Sequence, residues 1–290
     1  MIYLGVAAWC VDTPGSNALL RAADFGLRSV QIDVGTPGSD YYLGNPEVLD
    51  AYRRFSEKSK VAIVGIGAKF VNDLGMTSNE GTQADRNCQA LIATAINAAI
   101  ALGTHFVFFP SFRKSEICGK EDLFNTARLL KQACIQAAPY GIEIGSENSL
   151  GCEGNRKLIE MVGEPNFRIL IDTYNPVIFG HSVSCILQEL TPYISNQVHV
   201  KDGIGGRMGS APLGAGEGRF FETIKTLKTL DFDGMILLEN KYLVDTERRV
   251  AEDLAVLARL FDIPNPMTTR NCHPNDNLSE VHSRSTKSGT

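Results

Sequence analysis

The sequence predicts a single (β/α)8 barrel, an α/β fold whose catalytic domain spans residues 1–261. Short apolar runs alternate with longer stretches of helical period, which is the pattern of repeated strand–helix units. The runs show little alternation between apolar and polar residues, as in parallel strands covered on both faces. Eight units within roughly 260 residues match the size of this barrel. A doubly wound open sheet has the same periodicities and is the rival architecture.

The strand–helix units can be followed along the chain. Gly26, Gly103 and Gly141 each follow the last periodic residue of a predicted helix, where the left-handed backbone conformation favours glycine. The predicted strands are 2–7, 29–34, 61–68, 105–111, 142–147, 167–172, 196–202 and 234–240. The predicted helices include 17–26, 85–103, 122–141 and 245–261.

Residues 262–290 differ in composition from the barrel segment. They are rich in Asn, Ser, Thr and Pro and contain few apolar residues. Because so little apolar surface does not offset the entropy lost on ordering, we predict a flexible C-terminal tail.

Composition limits the cellular compartment and the kinds of partner that we expect for the protein. Seven cysteines without a CxxC pair indicate reduced thiols, and residues 1–16 lack the basic segment of a signal peptide. No apolar stretch approaches the roughly 20 residues that span a bilayer. The net charge of -5 argues against a nucleic-acid partner. We expect a cytoplasmic protein with a small-molecule substrate and no membrane contact, and a homo-oligomer is compatible with the sequence.

The last four predicted strands each end in a residue that can bind a metal. These residues are Glu147, Asp172, His199 and Glu239. Because the carboxyl ends of barrel strands open into one shared mouth, we expect the four side chains to lie together. Any one carboxylate could instead be a helix cap, and His199 alone could be a hydrogen-bonded core residue. Four on successive strands indicate one divalent metal site.

The ligand types indicate which metal the site would hold. Three carboxylates and one imidazole make an oxygen-rich site, which favours Mn²⁺, with Mg²⁺, Co²⁺ or catalytic Zn²⁺ as alternatives. The cysteines do not contribute to this set.

At these residues the chain resembles the xylose-isomerase-like superfamily of sugar isomerases and epimerases, which also contains apurinic-site endonucleases. The resemblance covers nearly all of residues 2–261. It is strongest in SEN (146–148), IDTYN (171–175), HVKD (199–202), PLGAGEGRF (212–220) and GMILLEN (234–240).

The ketose 3-epimerase branch of that family implies further roles. Glu147 and Glu239 would be metal ligands and also the acid and base, and Glu153, six residues after Glu147, would contact substrate. The chain departs from the branch at Asn175, where a substrate-binding histidine is expected, and at Gly205, where an arginine is expected. These departures bear on the identity of the sugar.

Four more polar or aromatic residues are candidates for substrate binding. Asn175 and Arg207 lie near the expected mouth, and Arg207 could replace the arginine missing at 205. Lys201 could bind a hydroxyl or form a structural ion pair with Asp202. Trp9, the single tryptophan, could stack on a sugar or pack at the rim.

The resemblance implies an isomerase or epimerase of a sugar-like ketone. A proton would move beside the carbonyl through an enediolate, whose negative charge the metal would stabilise. The main alternative is a metal-dependent dehydratase or lyase on a keto-sugar or inositol-like substrate. An apurinic-site endonuclease would need several more histidines at strand ends, and of the five histidines present His181 is one candidate extra ligand. A non-enzymatic scaffold would not be expected to keep four ligands.

The glycine-rich segment 203–218 raises two further hypotheses. GIGGRMG (203–209) does not open a helix directly after a strand, so dinucleotide binding is not predicted. GAGEGRFFETIKTL (214–227) leads into a helix whose N-terminus could bind phosphate, although a flexible loop is the plainer interpretation.

Overall fold

The computed structural model describes residues 1–268, and eight of its strands run parallel and close into a barrel. Hydrogen bonding between β1 and the last strand closes the ring, which distinguishes the barrel from an open sheet. The barrel strands are β1 (Ile2–Ala7), β2 (Ser29–Asp33), β3 (Ala62–Gly67), β4 (Phe106–Ser111), β5 (Glu143–Asn148), β6 (Phe167–Asp172), β7 (Ile194–Val200) and β10 (Gly234–Leu238), with a hairpin of β8 (Asp202–Ile204) and β9 (Arg207–Ala211) between the last two.

Helices surround the barrel and cover its outer face. Side-chain caps begin several of them; Asn45 accepts a hydrogen bond from the amide of Glu47, and Thr82 accepts one from the amide of Asp85. The helices are α1 (Asn17–Asp24), α2 (Pro46–Ser59), α3 (Val71–Leu74), α4 (Gln83–Leu102), α5 (Lys120–Ala137), α6 (Cys152–Val162), α7 (Asn175–Ile178), α8 (Val183–Leu190), α9 (Phe220–Thr229) and α10 (Thr246–Phe261).

Strand register brings the predicted ligands to one rim. In the pairing of β6 with β7, Asp172 lies opposite His199. In the pairing of β7 with β10, His199 lies opposite Leu237, two residues before Glu239. The barrel order β10-β7-β6-β5 makes the four ligand-bearing strands neighbours, so their carboxyl ends meet at the same edge.

The glycine-rich segment after β7, which its sequence predicts to be a flexible loop, forms a hairpin and an anchored loop. Strands β8 and β9 pair antiparallel, with Gly205 and Gly206 at positive φ in the turn. Asp202, fully buried, accepts hydrogen bonds from the amides of Gly203, Gly214, Gly216 and Gly218. A buried carboxylate that needs these four donors holds the loop in place.

Part of the predicted C-terminal tail is described by the structure. Within 262–268, Ile263 and Met267 pack against the hydrophobic core. Residues 269–290 lie outside the described part of the chain, so a flexible tail there stays a prediction. Over residues 1–268, none of the helices has the length and hydropathy that crossing a membrane requires.

The packing of residues 262–268 predicts different costs for two glycine substitutions. Gly26 and Gly103 both have positive φ, but a Cβ at Gly26 would lie 2.2 Å from the carbonyl oxygen of Pro266, whereas Gly103 has open space. We expect Gly103→Ala to lower the free energy of unfolding by about 1–2 kcal/mol through backbone strain. Gly26→Ala should cost at least about 1 kcal/mol more, because Pro266 must also move. Urea denaturation measures both, and equal losses would show that Pro266 does not lie against Gly26.

Candidate metal centre

Four side chains converge at the carboxyl end of the barrel. Glu147 ends β5, Asp172 ends β6, His199 lies near the end of β7 and Glu239 directly follows β10. One ligand atom from each of the four lies within 4.8 Å of all the others. Ligands on opposite sides of one ion are about 4.0–4.6 Å apart, so this spacing is that of a shared metal site.

The orientation of His199 follows from a chain of amide hydrogen bonds. Gln197 Nε2 donates to the carbonyl oxygen of Val64, which can only accept, so Gln197 Oε1 faces Gln31. Gln31 Nε2 donates to that oxygen at 2.7 Å, and Gln31 Oε1 therefore faces His199 Nε2 at 2.6 Å. Nε2 must carry the proton that it donates, which leaves Nδ1 of the neutral ring as the free ligand atom.

Each carboxylate is held by a donor on one of its oxygens. Trp9 Nε1 donates to Glu239 Oε1 at 2.9 Å, and Asn175 Nδ2 donates to Glu147 Oε1 at 2.6 Å. Asp172 Oδ1 accepts the amides of Tyr174 and Asn175. Such partners fix the orientation of ligand side chains before a metal arrives.

Two of the ligand atoms are buried without a hydrogen-bond partner. They are Asp172 Oδ2 and His199 Nδ1, and both face the cluster. A buried polar atom that makes no hydrogen bond costs free energy, which coordination to a cation would recover. The donor set therefore fits a divalent ion.

Lys201 is the positive charge of the cluster. Its ammonium Nζ lies 2.7 Å from Glu239 Oε2, 3.2 Å from Asp172 Oδ2 and 4.0 Å from Glu147 Oε1. Three carboxylates and one ammonium leave a formal charge of −2 when His199 is neutral, since −3 plus 1 is −2. A divalent cation would neutralise this charge.

Burial and neighbouring charges shift the pKa values of these groups in opposite directions. Burial raises the pKa of Asp172 to about 7, although Lys201 opposes the shift. Burial disfavours the charged form of His199, yet Glu239 and Glu147 raise its pKa to about 10. Burial also opposes the ionisation of Glu239, but Lys201 and His199 hold its pKa well below the usual range. The cluster thus attracts positive charge, from protons or from a metal.

The residues predicted to bind substrate divide into two groups. Asn175, Lys201 and Trp9 contact the four-residue cluster directly, and Lys201 pairs with its carboxylates rather than with Asp202. Glu153 lies on α6 with 78% of its side chain exposed and pairs with Lys157, and Arg207 is exposed on β9. Neither residue has a described contact with the cluster, so the structure gives no support to their assignment, which stays a prediction.

Three residues that shape the site were not predicted from the sequence. Gln31 and Gln197 are buried polar residues inside apolar strands, and this contrast is the signal that could have identified them. Lys69 follows β3, and its ammonium lies 4.6 Å from the centre of the Trp9 ring. It therefore adds a cation to the rim of the mouth.

Comparison with known proteins places this geometry in a family. The family profile described as "Xylose isomerase-like TIM barrel" matches residues 19–260. A relative from Actinoplanes sp., named 2-epi-5-epi-valiolone 7-phosphate 2-epimerase, is 32% identical over 252 residues, covering 87% of this chain and 92% of the relative.

Solved structures share the fold at lower identity. A D-tagatose 3-epimerase-like protein superposes with a TM-score of 0.75 at 20% identity, over 90% of this chain and 97% of that one. A D-allulose 3-epimerase from Methylomonas sp. superposes with a TM-score of 0.72 at 16% identity, over 89% and 98%. With the profile match over most of its length, the chain belongs to the xylose isomerase-like TIM barrel family.

Proposed function

We propose that the protein is a divalent-metal-dependent epimerase or isomerase of a sugar-like ketone. The observation that carries this proposal is the cluster of Glu147, Asp172, His199 and Glu239, in which two buried ligand atoms make no hydrogen bond. Support comes from the relative at 32% identity, which is named as an epimerase of a valiolone phosphate. The substrate class is accordingly a polyhydroxylated ketone, with Mn²⁺ as the expected ion.

The side chains supply the proton transfer. Strands β10 and β5 lie on either side of β7 and β6, so Glu239 and Glu147 approach the centre from two sides. Their Oε2 atoms lie 3.3 Å and 3.8 Å from His199 Nδ1. We assign one as the base that removes the proton beside the carbonyl and the other as the acid that returns it. A bound divalent cation would polarise the ketone and stabilise the developing negative charge.

The remaining contacts orient the acid and the base. Trp9 and Asn175 each hold one oxygen of a catalytic carboxylate and leave the other facing the cluster. Lys201 donates to Glu239 Oε2, which favours the ionised carboxylate that a base requires. We assign to the same ammonium a second role as a donor to a substrate oxygen.

The nuclease alternative is disfavoured by the histidines. The metal-capable group at the mouth of the described barrel contains one histidine, His199. The candidate extra ligand, His181, lies with its ring against Gly151 instead. The dehydratase alternative begins with the same proton removal. It differs from epimerisation in that the product loses water.

Deuterium exchange from solvent tests the proposal. The chelated enzyme is reloaded with Mn²⁺ or Co²⁺ and incubated in D2O with ketoses, aldoses, their phosphates and cyclic polyol ketones. We expect one compound of this panel to be converted to an epimer or isomer that carries one deuterium at the carbon beside the carbonyl. Elemental analysis should find about one ion per chain. Loss of water from the product would favour a dehydratase, three ions would favour a nuclease, and no exchange with any substrate would contradict the proposal.

A further inference from the structure

A second cluster of reactive side chains lies outside the barrel mouth. Cys152 Sγ lies 2.9 Å from Cys185 Sγ, and Cys185 Sγ lies 3.2 Å from Glu189 Oε1. Both cysteines are half-buried, and Cys185 lines a surface groove with residues of α8 and α9. Small molecules can therefore reach this pair from solvent.

The two thiols belong to the first turns of two helices. Cys152 is the first residue of α6, and Cys185 is the third residue of α8, where its amide is capped by Ser182. The positive end of a helix dipole favours a thiolate, the form that attacks sulfur. Hydrogen bonding with Cys152 and Glu189 raises the pKa of Cys185 to about 12, so the Cys185 thiol stays protonated at neutral pH.

The surroundings favour a bond between the sulfurs over a shared metal ion. Two thiolates that bind one tetrahedral zinc lie about 3.8 Å apart, since each Zn–S bond is about 2.3 Å. The sulfurs here are nearer than that, at 2.9 Å. In addition, Arg156 pairs with the other oxygen of Glu189 at 2.6 Å, and this positive charge disfavours a second cation.

We propose that Cys152 and Cys185 form a reversible disulfide that links the start of α6 to the start of α8. The link would join the connections that follow β5 and β6, the strands carrying Glu147 and Asp172. The oxidant is a low-molecular-weight disulfide such as oxidised glutathione.

The exchange is balanced in two steps. The Cys152 thiol loses its proton to solvent, and the thiolate attacks one sulfur of the small disulfide. The other half leaves as a thiolate, which takes up a proton from solvent. Cys185 then attacks Cys152 Sγ, and its proton passes through Glu189 to the second departing thiolate. One small disulfide is reduced to two thiols, and the two protein thiols are oxidised to one disulfide.

Mapping the cross-link in the full-length protein tests the proposal. The protein is treated with oxidised glutathione, alkylated, and digested with trypsin without reduction. We expect residues 132–156 joined to residues 169–201, a link that dithiothreitol removes. The oxidised protein should melt roughly 5–10 °C higher, because the bond closes a loop of 33 residues, from 185 − 152.

Variants assign the bond to its two sulfurs. Cys152→Ser and Cys185→Ser should each abolish the linked peptide and the thermal shift, whereas the exposed control Cys118→Ser should keep both. Glutathionylation of Cys118 in the wild-type protein shows that the oxidant has reacted. If Cys152 and Cys185 stay unlinked in that sample, the proposal is overturned. Binding of one extra Zn²⁺ that Cys152→Ser and Cys185→Ser each remove and Cys118→Ser keeps, with the pair unlinked, would overturn it in favour of a metal site.

Discussion

Replacing Glu239 with glutamine is expected to lower turnover by at least about 100-fold, because losing a general acid or base typically costs 10²–10⁴-fold. A 100-fold loss corresponds to about 2.7 kcal/mol of activation free energy. Glutamine preserves the size of the side chain and can still accept the hydrogen bond from Trp9. It lacks the negative charge that pairs with Lys201 and that proton removal requires. Initial rates with the substrate found by deuterium exchange measure the effect.

Two controls separate the loss of a base from other effects. Metal content is measured under the assay conditions, with Mn²⁺ in excess, so that a loss of turnover in the loaded variant reports on proton transfer. Glu252→Gln, at an exposed carboxylate on α10 that pairs with Arg248, should keep wild-type turnover. A loaded Glu239→Gln variant with near-normal turnover would remove Glu239 from the proposed mechanism.

Replacing Asp202 with alanine is expected to lower the free energy of unfolding by about 3–5 kcal/mol. Each oxygen of this buried carboxylate accepts two amide hydrogen bonds from the glycine-rich loop. Without the carboxylate, these amides lose their acceptors. Hydrogen bonds to charged groups are worth about 1.5–3 kcal/mol each, and part of that loss is recovered when the freed loop exposes its amides to water. Asp202→Asn should lose nearly as much, since its amide nitrogen would face two donors. Urea denaturation gives the free energy.

The loop itself provides a local readout of the same change. Arg207 lies within the glycine-rich segment 203–218 and Arg219 directly follows it, so trypsin should cleave the alanine variant there much faster than the wild type. Asp233→Ala removes an exposed carboxylate that pairs with the N-terminus and should change stability by no more than about 0.5 kcal/mol. If Asp202→Ala and Asp233→Ala give the same result in both measurements, Asp202 does not hold the glycine-rich loop in place in solution.

The architecture was accessible from the sequence because its signals are local. Short apolar runs and period-3.6 patterns mark strands and helices whatever their partners are, and all eight barrel strands were predicted within a few residues. The four residues that converge at the mouth were also accessible. Parallel strands bring their carboxyl ends to one rim, so the position of a residue at a strand end can be predicted before any of its contacts is known.

The supporting contacts were not accessible in this way. The hydrogen bond from His199 to Gln31 joins residues 168 positions apart, and the pairing of β1 with β10 joins the two ends of the barrel. Lys201 could be assigned to Asp202 or to the carboxylates only once the strands were in place. Glu153 sits six residues after Glu147 in the sequence, yet α6 presents it to solvent.

The (β/α)8 pattern and the metal-capable residues at the strand ends follow from the sequence alone, since both depend on local periodicity and on where strands stop. Closure of the barrel, the free nitrogen of His199 and the anchoring of the glycine-rich loop by Asp202 are visible only in the folded chain. These features depend on hydrogen bonds between segments far apart in the chain. Such bonds leave no periodic trace in the sequence, because any donor and acceptor brought together by the fold can form them.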